Sequence, residues 1–169
     1  MSTAFFFLIQ LAVLAYAFVG GVFLAFSDFI MRSLALTSGH GGVEAMQIIN
    51  REVFRWIFMA LFLGMAAVSL IVIGYGAFGA PGRAGTLVII AGLTYLIGCF
   101  GVTVFFNVPM NEALAGMEMA SETTRDYWLQ TYVPRWTFWN SVRTIACALS
   151  AAMLLFALLW MTQTQALPA

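Results

Sequence analysis

Of 169 residues, 63% are apolar and 8% charged, whereas an ordinary soluble domain carries about 25% charged residues, so the composition excludes one. The formal net charge is zero, which leaves no basic patch to argue for nucleic acid. All seven basic residues are Arg; a guanidinium suits a half-buried ion pair better than an ammonium does, although Arg-rich codon usage gives the same count.

The length suits one domain, and the expected fold is an all-α integral membrane four-helix bundle over residues 1–169, with two longer, partly helical loops on one side. Span one covers about 4–31; its apolar core, Ala4 to Phe26, has Gln10 as its one strongly polar member. The segment Met1-Ser-Thr-Ala4 lacks a basic n-region and the apolar run after it is too long for a signal peptide, so a retained helix is expected. Ser33 to Glu52 contains the break Gly39-His-Gly-Gly42, after which Val43 to Phe54 reads as a helix running straight into span two. Span two covers about 54–80, with a charge-free core from Trp56 to Ala80. The turn Gly79-Ala-Pro-Gly82 separates it tightly from span three, about 84–108, and so short a loop implies antiparallel neighbours. Asn111 to Val133 is polar and acidic, with a capping-box pattern at Thr123 and Asp126. Pro134 stands where a helix favours its first residue, opening span four at about 135–161. The tail from Thr162 to Ala169 is expected to fray.

Four spans put both long connections on one face, with the Gly79–Gly82 turn and both termini on the other. All seven acids and every Arg except Arg83 fall on the long-loop face. Counting Arg, that face is expected in the cytoplasm, the membrane being a bacterial inner (plasma) membrane. Cys99 and Cys147 read as small membrane-buried hydrophobes and not as a disulfide framework. His40, the one histidine, has no second His or Cys nearby to support zinc or haem, and the ten Met residues read as core filler. No metal is expected.

Charges and amides beside a bilayer are costly, so a converging set of them is a candidate functional site. All four spans deliver such groups to the long-loop end. Thr103, Asn107 and Asn111 recur every four residues and share a helix face, with Pro109 expected to kink or loosen the helix between them. Trp136, Asn140, Arg143 and Cys147 fall at steps of four, three and four, again one face. Asp28 follows Gly20, Leu24 and Ser27 at similar spacing, which makes Asp28 and Arg143 an expected ion pair. Each residue alone has a structural reading: amides glue helices, Arg snorkels and Trp forms an interfacial belt.

The segments Gly21-Val-Phe-Leu-Ala-Phe-Ser-Asp28, Ala45-Met-Gln-Ile-Ile-Asn50, Phe106-Asn-Val-Pro-Met-Asn-Glu112 and Trp136-Thr-Phe-Trp-Asn-Ser-Val-Arg143 resemble the anthrone oxygenase-like family of small four-helix membrane proteins. The resemblance covers nearly the whole chain; its most specific pieces are Asn107-Val-Pro-Met-Asn111 and the stretch from Trp139 to Arg143. Many relatives carry His where this chain has Ser141, so any role of that His is absent here. Fungal members resemble enzymes that oxidise polyketide anthrones to anthraquinones with molecular oxygen. The resemblance therefore implies an oxygenase acting without a cofactor on an aromatic or lipophilic substrate, with oxygen and the lipid bilayer as its other partners.

Such chemistry needs a base, an oxyanion-stabilising group and a dry pocket for the rings. The expected base is Asp28 or Glu112, Glu112 being favoured if Asp28 pairs with Arg143. The expected oxyanion group is Arg143 with Asn140, Asn107 or Arg51. Trp136, Trp139 and the Phe-rich ends of spans one and three are expected to stack on the substrate, and Asn50 and Asn111 to bind it. The competing expectations are a non-enzymatic protein that binds or carries a lipophile, a scaffold, and a metal-dependent oxygenase.

Overall fold

Once lipid replaces water, a backbone amide finds a partner only within the protein, so long apolar runs coil into helices. The computed structural model describes residues 2–55, 57–80 and 82–166, and five helices organise them. In chain order they are α1 (Thr3–Ala35), α2 (Gly41–Glu52), α3 (Ile57–Phe78), α4 (Gly82–Ala115) and α5 (Glu122–Gln163), all but α2 being long and apolar enough to cross a membrane. The chain is thus an all-α integral membrane protein. Trp56, Pro81 and the tail residues 167–169 lie outside the described residues.

The four long helices pack in the cyclic order α1–α5–α4–α3, while α1 and α3 touch only sparsely. The tight turn does make α3 and α4 close neighbours: a Cβ on Gly76 would stand 2.8 Å from the Gly85 carbonyl. The outward faces stay apolar, with Phe18, Ile57, Phe78, Ile97 and Phe105 all exposed, as lipid contact requires. The inward faces form a core around Ile9, Tyr16, Val72, Val88, Tyr95 and Leu154. Its few polar groups are satisfied: Tyr16 and Ser69 share a hydrogen bond of 2.7 Å, Tyr95 donates to the Phe62 carbonyl at 2.8 Å, and Ser150 donates to the Ala91 carbonyl at 2.9 Å.

On the long-loop side a second cluster of Met31, Val43, Met46, Leu114, Trp128, Tyr132 and Trp136 lies beneath α2. α2 does not run into α3 as expected. It ends at Glu52, where the Arg55 amide donates to the Glu52 carbonyl at 3.0 Å, and it lies as a separate amphipathic lid over the bundle end. Gly42 lets it fold back on α1, because a Cβ there would run into the Leu34 carbonyl. Gln47 fastens it to α4, donating to the Leu114 carbonyl at 2.8 Å.

Four wide π-helical stretches interrupt the helices at this end: Phe26–Ile30 in α1, Leu96–Gly101 and Thr103–Asn107 in α4, and Trp128–Tyr132 in α5. They set the place of both prolines. Pro109 follows a widened stretch of α4, a loosening of the expected kind, and Pro134 lies inside α5 instead of opening it. Each proline follows a π stretch by two residues, where the widened turn makes room for a ring that would otherwise clash with the carbonyl four residues back. The capping box at Thr123 and Asp126 is also absent: Ser121 is the N-cap, without a side-chain bond. The expected frayed tail is helical as far as Ala166.

Candidate functional site

Where the two hydrophobic clusters meet, under α2, lies a cavity of about 110 Å³. For scale, an apolar cavity of about 150 Å³ accepts a benzene ring. Its walls are mainly apolar, from Phe23 and Phe26 on α1, Met46 and Ile49 on α2, and Phe58 and Phe62 on α3. Its polar lining is four residues, Asn50, Thr103, Asn111 and Arg143, with Trp136 closing the α5 side. Val22 on α1 and Phe54 just before α3 also line it and are themselves exposed. The cavity therefore opens sideways along the sparse α1–α3 seam, toward lipid.

Arg143 is the one charged group in that lining and is only 5% exposed. Its Nη2 donates to Asn140 Oδ1 at 2.6 Å and its Nη1 to Thr103 Oγ1 at 3.2 Å. The guanidinium lies 4.1 Å from the Phe23 ring centroid and 5.1 Å from that of Trp136, so two π faces offset part of its charge. The expected ion pair with Asp28 is not formed. Among the described residues the one ion pair is Arg55–Glu52 at the surface, and no carboxylate lines the cavity. Arg143 Nε is buried with no hydrogen-bond partner, a buried donor of the kind that ordinarily finds one.

The other expected site residues divide into those in the cavity, those behind it and those outside. Asn50, Asn111 and Trp136 line it. Asn140 and Asn107 are buried struts behind it: Asn140 Nδ2 donates to the Phe23 carbonyl and to Ser27 Oγ, both at 2.6 Å, tying α5 to α1. Asn107 Nδ2 donates to the Trp136 carbonyl at 3.2 Å, and its Oδ1 has no partner. Asp28, Glu112 and Arg51 are exposed and outside the cavity. Asp28 sits within the π stretch of α1, where the altered periodicity turns it away and gives the contact with α5 to Ser27. Trp139 stacks on Phe106 at 3.7 Å on the outer surface. Ser141 bonds Ser27 at 3.0 Å and the Thr137 carbonyl at 2.9 Å, off the cavity.

The Phe-rich end of span one does line the cavity, through Phe23 and Phe26; sequence reasoning overlooked Phe58, Phe62 and Tyr132. Tyr132 donates to Asn111 Oδ1 at 2.8 Å and lies between Trp128 and Trp136, stacked at 5.2 and 6.3 Å. The signal was present, since Tyr132, Trp136 and Asn140 continue the step of four. One turn deeper than Arg143, Cys99 and Cys147 are free, buried thiols with sulfurs 3.5 Å apart, consistent with small core residues.

A family model described as anthrone oxygenase matches residues 51–153. No curated protein matches the chain. No solved structure matches it either.

Proposed function

The chain belongs to the anthrone oxygenase family, and from that premise we propose that it is a membrane oxygenase whose cavity holds the oxyanion of a lipophilic aromatic enol against Arg143. The observation that carries this reading is a buried guanidinium in an apolar cavity with no carboxylate beside it and an unpartnered Nε. Such a site favours an anion over a neutral ligand.

The chemistry follows from the substrate class. An anthrone carries an acidic CH₂ between two rings, and its conjugate base is an enolate. Arg143 stabilises that enolate by charge and hydrogen bonding in a water-poor site, which lowers the base strength that deprotonation demands. With Asp28 and Glu112 outside the cavity, the proton leaves to water. The enolate passes one electron to oxygen, radical and superoxide combine into a C–O bond, and the peroxide is protonated. Loss of the remaining C–H proton and of hydroxide from the O–O bond then yields the quinone carbonyl and water. One anthrone and one oxygen molecule become one quinone and one water, and the electrons come from the substrate itself. The enclosed space suits about one ring, so a fused-ring substrate would extend along the α1–α3 mouth. That mouth supports uptake from the bilayer, and the Arg distribution supports a cytoplasmic long-loop face.

The test is oxygen uptake by detergent-purified protein given anthrone, with quinone measured by absorbance. Arg143→Ala should lower the rate by about 10²–10³, the usual cost of one oxyanion donor, and Arg143→Lys should fail to restore it because the fork is lost. A wild-type rate equal to the spontaneous one, from folded protein, refutes the oxygenase reading. Arg143-dependent binding of a phenolate in that same sample would favour a lipophile-binding protein instead.

A further inference from the structure

Besides Arg143, the polar lining of the cavity carries an oriented chain of hydrogen bonds through Asn50 and Asn111. Trp136 Nε1 and Tyr132 Oη both meet Asn111 Oδ1 at 2.8 Å. An indole N–H can only donate, so the atom that it meets must be the amide oxygen, and this fixes the orientation of Asn111 on chemical grounds. The same oxygen takes the Tyr132 proton. Whatever approaches the tyrosine oxygen from its other side must therefore donate, and Asn50 Nδ2 does so at 3.4 Å. Both directions are set by one obligate donor, Trp136.

The consequence lies at the other end of the Asn111 amide. With its oxygen held by two donors, Nδ2 turns away from them, and Asn111 is half-buried and not sealed within the protein. Asn111 lines the cavity together with Arg143. We infer that Asn111 Nδ2 is a second oxyanion donor of this site and that Tyr132, acting through Asn111, is the positioning residue that aims it. Tyr132 is itself 0% exposed and stacked between two tryptophans, so its hydroxyl is held rigidly, as an effective oxyanion site requires. The site then offers an anionic oxygen both a full charge and an amide dipole. Its ligand class is an aromatic phenolate or enolate.

This inference rests on the anion-binding reading of the cavity, and its test separates the two. The probe is 4-nitrophenol, one ring in size and coloured as the anion, with 4-nitroanisole as the neutral control. Binding is titrated on detergent-purified protein against pH. Asn111→Asp keeps the acceptor oxygen for Trp136 and Tyr132 but replaces the donor with a second anionic oxygen. It should weaken nitrophenolate binding by roughly tenfold or more and raise the apparent pKa of the bound phenol, with nitroanisole binding unchanged. Tyr132→Phe keeps the stacked ring and removes the hydroxyl, and it should weaken the phenolate by a smaller factor, again sparing the anisole. Wild-type phenolate affinity in Asn111→Asp overturns the inference, as does equal loss of phenolate and anisole in Tyr132→Phe. If wild type binds nitrophenolate no better than Arg143→Ala does, the anion-binding reading fails and takes this inference with it. If Arg143 matters and Asn111→Asp does not, this inference fails alone.

Discussion

Asn140→Asp tests the uncompensated charge of Arg143 without removing Arg143. The substitution is nearly isosteric and keeps an acceptor oxygen where Asn140 Oδ1 stands, 2.6 Å from the guanidinium Nη2. It turns the Nδ2 donor into an acceptor, so Ser27 Oγ must rotate to donate and the Phe23 carbonyl loses its partner, at a cost of about 1–3 kcal/mol. The new ion pair offsets that loss, and the adjacent guanidinium keeps the aspartate ionised, so the fold should survive with its thermal midpoint nearly unmoved. The effect on a ligand is large. An oxyanion held against the guanidinium would lie roughly 5–6 Å from the new carboxylate, and at an effective dielectric of about 20 two like charges at that distance repel by about 3 kcal/mol. That is roughly a hundredfold in affinity. The assay pairs thermal unfolding in detergent with nitrophenolate titration and anthrone-dependent oxygen uptake. A folded Asn140→Asp protein that binds and turns over like wild type would refute the claim that Arg143 offers its charge to a ligand.

Two further predictions follow from what the cavity contains and where it opens. Asp28→Asn and Glu112→Gln, singly and together, should change anthrone-dependent oxygen uptake by less than about twofold, because both carboxylates are exposed outside the cavity; a large loss in initial rate would restore one of them as the base. Val22→Trp should narrow the lateral mouth and lower kcat/KM for anthrone in vesicles by roughly tenfold while leaving the thermal midpoint in place, since Val22 is 41% exposed; unchanged kcat/KM would place the substrate path elsewhere.

The long helices were legible because apolar length alone demands them, and the stripes were legible because α-helical spacing puts Trp136, Asn140, Arg143 and Cys147 on one face. All four do meet α1 or α4 in the structure: Trp136 meets Asn111, Asn140 meets Ser27, Arg143 meets Thr103 and Cys147 meets Cys99. Asp28 was misplaced because a spacing of 3.6 was carried through a segment that is π-helical, and no residue type at Phe26–Ile30 announces that change. The break after α2 was invisible for a related reason. Arg51-Glu-Val-Phe-Arg55 has neither Gly nor Pro, and what folds α2 over the cavity is a tertiary bond from Gln47 to the Leu114 carbonyl. The α3 walls escaped notice because Phe58 and Phe62 look like any other lipid-facing residues until neighbouring helices select which of them face inward.

The free-energy balance around Arg143 shows why the site stays open. Placing Arg within a membrane helix costs about 2.5–3.5 kcal/mol on insertion scales. Two cation–π contacts return about 0.5–2 kcal/mol each, and the interhelical hydrogen bond to Thr103 about 0.6. The sum is close to zero, so the bundle tolerates the guanidinium without a carboxylate. A counter-ion from the protein would deepen that well, but it would also occupy the charge. Here the charge is held by ring faces and neutral oxygens instead, from Phe23, Trp136, Thr103 and Asn140. None of these competes with an anion for the full positive charge, and Nε is left over. The same economy explains the exposed acids at the bundle end: a carboxylate rotated inward would pair with Arg143, and the π turn that carries Asp28 outward keeps it from doing so.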